Sequence, residues 1–134
     1  MKKKIFELNN DEVKNSIKSA EISVCIIGIG RIGLPTALSF AKSGLDTIGL
    51  DINADLVQQI HSGDFPLKDE PKYDEIFVDV LKNKKFQAST NAVQVIPKSD
   101  VILLSLPTPM DKNNIPDYSA LKSVAKQLHE LLTP

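Results

Sequence analysis

Residues 24–33 read Val-Cys-Ile-Ile-Gly-Ile-Gly-Arg-Ile-Gly, an apolar run that stops at a turn with spaced glycines. Four consecutive apolar residues without alternation are typical of a strand covered on both faces, as in a parallel sheet between helices. Gly28 allows the tight turn, Gly30 lets the backbone approach a pyrophosphate, and Gly33 lets the next helix lie close to the strand. The stretch therefore predicts a strand, a phosphate-binding loop and a helix whose free N–H groups receive the phosphates.

The residues that follow support this interpretation. Apolar residues with helical spacing form one face after the loop, namely Leu34, Ala37, Leu38 and Ala41. A second strand, 47–50, then ends at Asp51, eighteen residues after Gly33, where an acidic side chain meets the adenosine ribose. No arginine occurs in 52–55 to receive a 2′-phosphate, so NAD is predicted rather than NADP. The alternative for Asp51 is a cap on the next helix.

The remaining chain alternates between helical and strand patterns. Helices are predicted over 54–62, 73–82 and 91–96, and strands over 86–88 and 101–106. Two prolines and three acids in 64–71 predict an irregular loop, with its acids in a solvated connection. This order predicts an α/β fold, a Rossmann-type doubly wound parallel sheet in a three-layer α/β/α arrangement.

The last predicted strand runs into Pro107-Thr108-Pro109, at the edge where open α/β sheets bind ligands. Thr108 would offer a hydroxyl to the dinucleotide; the alternative is an ordinary turn threonine. A final helix, capped by Asp117 or Ser119, carries the apolar residues Leu121, Val124, Ala125, Leu128 and Leu132.

Residues 1–20 are predicted to form an N-terminal helical extension, and residues 21–134 the nucleotide-binding domain. Val13, Ile17 and Ala20 keep a helical spacing behind an Asn10 cap. Two alternatives stay open for this helix. It is either an oligomer or domain contact, or an amphipathic arm packed on its own domain.

Composition excludes several classes of function. Sixteen Lys plus Arg against seventeen Asp plus Glu predict no nucleic-acid partner. Cys25, the single cysteine, lies in the first strand as a buried hydrophobe, and no metal site is predicted. No apolar run approaches the length of a membrane span, and no signal peptide follows Met1. A soluble cytoplasmic protein is expected, and its oligomeric state, a homo-oligomer included, stays open.

The combined motifs resemble the UDP-glucose/GDP-mannose dehydrogenase family over residues 22–132. The resemblance is carried by Gly28 to Ala37, Asp51-Ile52-Asn53, Gly63 with Pro66, Glu70-Pro71 and Leu106-Pro107-Thr108-Pro109. The amino-acid sequence of the first two segments is most similar to that of the UDP-N-acetylmannosamine dehydrogenase branch. Arg31 and Leu56 depart from the family pattern, which more often has an aromatic and a basic residue there.

The resemblance implies an NAD-dependent enzyme that oxidises the C6 alcohol of a nucleotide sugar to a carboxylate through a catalytic cysteine. That cysteine lies far beyond the first domain in the family, so no catalytic residue is expected in this chain, which should bind NAD without catalysis. The expected cofactor contacts are Gly28, Gly30, Arg31, Ile32, Gly33, Asp51 and Thr108. The alternative function is a free-standing nucleotide-binding regulatory module.

Overall fold

The computed structural model describes residues 2–132, and within them one sheet of four parallel strands forms the centre of the fold. The strands are β1 (Ser23–Ile27), β2 (Asp46–Leu50), β3 (Phe86–Ser89) and β4 (Val101–Leu104), in the spatial order β3-β2-β1-β4. In β1, Val24 is in register with Thr47 of β2 and Val101 of β4. The chain therefore steps outward from β1 to β3 and then returns to the other side of β1.

Six α-helices connect or flank these strands in the described part of the chain. They are α1 (Asn10–Lys18), α2 (Gly33–Lys42), α3 (Ala54–His61), α4 (Asp74–Lys82), α5 (Ala92–Val95) and α6 (Ser119–Leu131). Short 3₁₀ turns occur at Ile5–Glu7, Pro71–Tyr73 and Ile96–Lys98. No helix between residues 2 and 132 has the length and apolar character needed to cross a membrane.

Strand β1 is covered on both faces, as its unbroken apolar run predicts. Val24 and Ile26 belong to a core shared with α2, α3 and α4. Cys25 and Ile27 face a second core, to which α5 contributes Val95 and α6 contributes partly buried side chains. Alternate residues of one strand thus join separate cores, and the predicted three-layer Rossmann-type arrangement is confirmed.

Helix α2 buries the predicted face against the sheet. Leu34, Ala37, Leu38 and Ala41 are each at most 1% exposed. A leucine buried to this degree contributes about 2 kcal/mol relative to an exposed one. This packing fixes the start of α2 against the loop that leaves β1, so it also fixes the geometry of that loop.

Strand β4 is shorter than predicted, because it ends at Leu104 rather than at residue 106. The Ser105 N–H still donates to the Ile27 carbonyl at 2.8 Å. Beyond that point the neighbouring strand has ended, and Gly28 turns away with φ of +91°. Residue 106 therefore has no ladder to join on this side.

Three details at helix ends also differ from the prediction. The cap of α1 is Asn9, not Asn10, because the Asn9 side chain accepts from the N–H groups of residues 11 and 12. Tyr118 occupies the cap position of α6, although Asp117 accepts a hydrogen bond from the Ser119 N–H at 2.9 Å. Near the end of α6, Leu131 packs on the second core, whereas Leu132 is 49% exposed.

The N-terminal segment is held to the first and last strands by one partly buried carboxylate. Asp100 Oδ2 lies 2.7 Å from Lys2 Nζ and accepts hydrogen bonds from the Ser23 N–H and hydroxyl. Ile5 packs partly against the main core, whereas α1 has no buried residue. The segment thus contacts its own chain mainly before α1. Residues 1, 133 and 134, which the predicted division includes, lie outside the described residues.

Candidate dinucleotide-binding site

The glycine loop, residues 28–32, leaves β1 at the carboxyl edge of the sheet and leads directly into α2. The Gly28 N–H donates to the Leu50 carbonyl at 2.8 Å, which fixes the loop to the end of β2. A Cβ on Gly28 would lie 2.1 Å from the Ser105 carbonyl oxygen, and one on Gly33 would lie 1.7 Å from the Gly28 carbonyl oxygen. Both positions therefore require glycine, because backbone atoms fill the space of a side chain.

Gly30 differs from these two glycines because the space beside it is open. Apart from Gly30 and its two chain neighbours, no atom of residues 2–132 lies within 4 Å of the position that its Cβ would occupy. Packing within the domain therefore does not explain a glycine here. An open approach to the backbone is the arrangement that a bound diphosphate needs at the second glycine of such a loop.

Four consecutive backbone N–H groups begin at this open position. Within residues 2–132, the N–H groups of Gly30, Arg31, Ile32 and Gly33 have no hydrogen-bond partner, whereas the Leu34 N–H donates to the Gly30 carbonyl. Ile32 stands at the cap position of α2, is 76% exposed and supplies no capping side chain. Free donors at a helix N-terminus, where the helix dipole favours negative charge, bind phosphate groups. The loop therefore fits the diphosphate of a dinucleotide.

Asp51 lies at the end of β2 and joins the glycine loop to the start of α3. Its Oδ2 accepts from the Ile29 N–H at 3.0 Å, and its Oδ1 accepts from the Asn53 N–H at 2.9 Å. The cap of α3 is Asn53, whose side chain accepts hydrogen bonds from the backbone N–H groups of Asp55 and Leu56. The alternative of Asp51 as the helix cap is therefore wrong. Its carboxylate instead lies beside the loop, where a ribose-binding acid is expected.

Arg31 projects from the glycine loop and pairs with two acids from the loop 64–71. Its Nη2 lies 2.7 Å from Asp69 Oδ2 and 3.7 Å from Glu70 Oε1. The hydrogen bond from Arg31 is the main cause that holds the pKa of Asp69 below its ordinary value. Asp69 is exposed, as predicted, and Glu70 is partly exposed. The sequence does not indicate that these acids pair with Arg31, because 38 residues separate Arg31 from Asp69.

Thr108 lies on the segment that follows β4, and β4 is the neighbour of β1 in the sheet. Its residue is exposed, and its hydroxyl makes no hydrogen bond within residues 2–132. Ser105, which the sequence did not single out, backs the glycine loop instead, through its contacts near Gly28 and Gly33. The strand order reverses between β1 and β4, and open α/β sheets bind ligands in the crevice at such a point.

Cys25 and the two histidines lie apart from this loop. Burial raises the pKa of the Cys25 thiol to about 11, so it stays protonated at neutral pH. His61 Nε2 lies 2.7 Å from the Ala88 carbonyl oxygen, and His129 is exposed on α6. Cys25 thus behaves as the small buried hydrophobe that the sequence predicts.

A buried parallel strand, a glycine loop that opens a helix, and a carboxylate at the end of the next strand define a dinucleotide-binding domain of the Rossmann type. The family model of the UDP-glucose/GDP-mannose dehydrogenase family, NAD binding domain, matches residues 22–134. The chain therefore belongs to this family, as the sequence motifs predict.

Relatives of known name and solved structures agree with this membership. The UDP-N-acetyl-D-mannosamine dehydrogenase of Pyrococcus horikoshii is 33% identical over 109 residues, which are 81% of this chain and 25% of that protein. The solved structure of UDP-D-ManNAc dehydrogenase from that organism has a TM-score of 0.76 at 32% identity and covers 83% of this chain and 26% of the other.

A second solved structure is the UDP-N-acetyl-mannosamine dehydrogenase Cap5O of Staphylococcus aureus. It has a TM-score of 0.72 at 32% identity, over 82% of this chain and 26% of that one. The chain thus spans about a quarter of the length of the curated relatives it matches.

Proposed function

We propose that this chain supplies the NAD-binding domain of a nucleotide-sugar 6-dehydrogenase of the UDP-N-acetylmannosamine or UDP-glucose type. The whole protein would oxidise the C6 alcohol of its sugar substrate to a carboxylate, in the cytoplasm, for polysaccharide biosynthesis. The observation that carries this proposal is the run of four N–H groups from Gly30 to Gly33, which have no partner within residues 2–132, together with the open space at Gly30. Residues 21–134 would form the cofactor domain, and residues 1–20 an extension to it.

Each residue of the proposed site has a separate role. The N–H groups of Gly30, Arg31, Ile32 and Gly33 would hold the diphosphate, and Gly28 would shape the turn that presents them. Asp51 would accept hydrogen bonds from the adenosine ribose hydroxyls and repel a 2′-phosphate. Thr108 would add a hydroxyl from the β4 side of the crevice. The bound nicotinamide would supply the hydride acceptor for the oxidation.

Calorimetric titration of the chain with NAD⁺ and NADP⁺ tests this proposal. The wild type should bind NAD⁺ more tightly than NADP⁺, and Gly30→Val should abolish binding with little change in melting temperature, because its side chain would extend into open space. Equal affinities for the two cofactors would contradict the role of Asp51.

The test of Asp51→Asn needs a measured quantity that does not change when the variant is merely less stable. An amide can replace only one of the two accepting oxygens, so the Ile29 or Asn53 N–H loses its partner, at a cost of about 1 kcal/mol of stability. The ratio of the NAD⁺ and NADP⁺ affinities is independent of that loss. This ratio should fall in Asp51→Asn, and an unchanged ratio would exclude Asp51 from the ribose site.

A further inference from the structure

Arg31 has a position that the glycine motif alone does not explain. Its backbone N–H is one of the four free donors, whereas its guanidinium lies 2.7 Å from Asp69 and 3.7 Å from Glu70. The side chain is 65% exposed, and the two acids are 62% and 43% exposed. The Arg31 side chain thus extends from the predicted diphosphate site, and its guanidinium is paired with carboxylates.

The two acids are presented from an anchored loop. Phe65 and Leu67 are buried in the main core, and the Phe65 ring centroid lies 5.2 Å from that of Phe77 in α4. The Glu70 N–H donates to the Leu67 carbonyl at 2.9 Å. Packing therefore holds the acids near the glycine loop whether or not Arg31 is paired with them.

A carboxylate and a phosphate are interchangeable partners for a guanidinium. Both accept two parallel N–H hydrogen bonds from its planar fork. Exposed ion pairs contribute little to stability, so Arg31 can exchange one anion for another at little cost. We propose that Asp69 and Glu70 set the affinity of the domain for its dinucleotide by competing with the cofactor diphosphate for Arg31.

In this scheme Arg31 pairs with the acids in the free domain and with the diphosphate in the complex. Arg31 is then a cofactor ligand, and Asp69 and Glu70 act through it as positioning residues. The inference rests on the proposed function, because it requires the diphosphate to bind at residues 30–33. It goes further by giving the loop 64–71 a role in cofactor affinity.

Titration of four forms of the chain with NAD⁺ tests the inference: wild type, Arg31→Gln, Asp69→Asn/Glu70→Gln, and the three changes together. Removal of the two carboxylates should tighten NAD⁺ binding about threefold to tenfold, and Arg31→Gln should weaken it by a similar factor. With glutamine at position 31, removal of the carboxylates should have little further effect. Arg31→Lys, which keeps the charge without the fork, should lie between the wild type and Arg31→Gln.

The control variant is Asp64→Asn/Lys68→Gln, which removes an ion pair of the same loop that does not involve Arg31. Its NAD⁺ affinity should equal that of the wild type. Repeating the titrations at higher salt should reduce the gain from Asp69→Asn/Glu70→Gln, because salt screens exposed charges. A purely structural role for the acids would make their removal weaken binding at every salt concentration.

Two results would overturn the inference alone. One is an unchanged or weaker NAD⁺ affinity in Asp69→Asn/Glu70→Gln when the wild type still prefers NAD⁺ and Gly30→Val still abolishes binding. The other is an equal gain with arginine or glutamine at position 31, since that would show a general charge effect that does not pass through Arg31. Failure of the wild type to bind NAD⁺ would overturn both the proposed function and this inference.

Discussion

Replacing Gly33 by alanine should destabilise the domain strongly, whereas the same change at Gly30 should not. At Gly33 the new methyl would lie 1.7 Å from the Gly28 carbonyl oxygen and 2.8 Å from its carbon, with no flexible side chain to move aside. Ordinary contact begins at 3.4 Å, so the start of α2 would have to move by more than 1 Å away from the loop. Leu34 and Ala37, now fully buried, would lose part of their packing.

The size of the effect follows from these contacts. Overpacking against side chains that yield costs about 1–3 kcal/mol, and here both partners are backbone, so about 3 kcal/mol or more is expected. In a domain of this size that loss lowers the melting temperature by about 10 °C or more. Thermal unfolding followed by circular dichroism measures it.

Gly30→Ala is the matched control, because it adds the same methyl to the same loop. Beyond its chain neighbours, no atom in the described part of the chain lies within 4 Å of that methyl, and Gly30 is not among the glycines with positive φ. Its melting temperature should stay within about 3 °C of the wild type, with a small gain from the restricted unfolded chain. Its NAD⁺ affinity should fall. Equal stability losses at both positions, or a wild-type melting temperature for Gly33→Ala, would refute the reasoning.

Two other residues give predictions of their own. Burial alone would raise the pKa of Asp100, but hydrogen bonds from Lys2 and Ser23 outweigh it and hold the pKa below the ordinary value. The stabilisation that the Asp100 carboxylate provides is therefore present above about pH 4 and is lost as the pH falls through the lowered pKa. Urea unfolding should show Asp100→Asn about 1–2 kcal/mol less stable than the wild type at pH 7. This difference in the free energy of unfolding should become smaller in acid. Cys25, whose pKa is raised to about 11 by burial, should react with a thiol reagent only as fast as the domain opens; rapid labelling of the native chain would contradict its burial.

The sequence predicts local features of this fold well because their causes are local. The apolar run of residues 24–27 needs two covering layers wherever it lies, and the face of α2 from Leu34 to Ala41 needs one. Both requirements are set by residues close together in the chain. The same holds for Gly30, whose open surroundings agree with the glycine motif.

Features that depend on distant segments could not be predicted. Ser105 backs the glycine loop only because β4 lies beside β1, and β4 ends early only because β1 has ended there. The pairing of Arg31 with Asp69 depends on where the core residues of the loop 64–71 place that loop. The number and order of charges along the sequence do not show that these two side chains form an ion pair.

The two hydrogen bonds of Asp51 have a further consequence for selectivity. They fix the side-chain rotamer before any ligand arrives, and each carboxylate oxygen still keeps a lone pair for another donor. A ribose placed there would meet a preorganised acceptor and would not have to immobilise a freely rotating side chain, which normally reduces affinity. The backbone amides of Ile29 and Asn53 would thus hold in place the carboxylate that discriminates between the two dinucleotides.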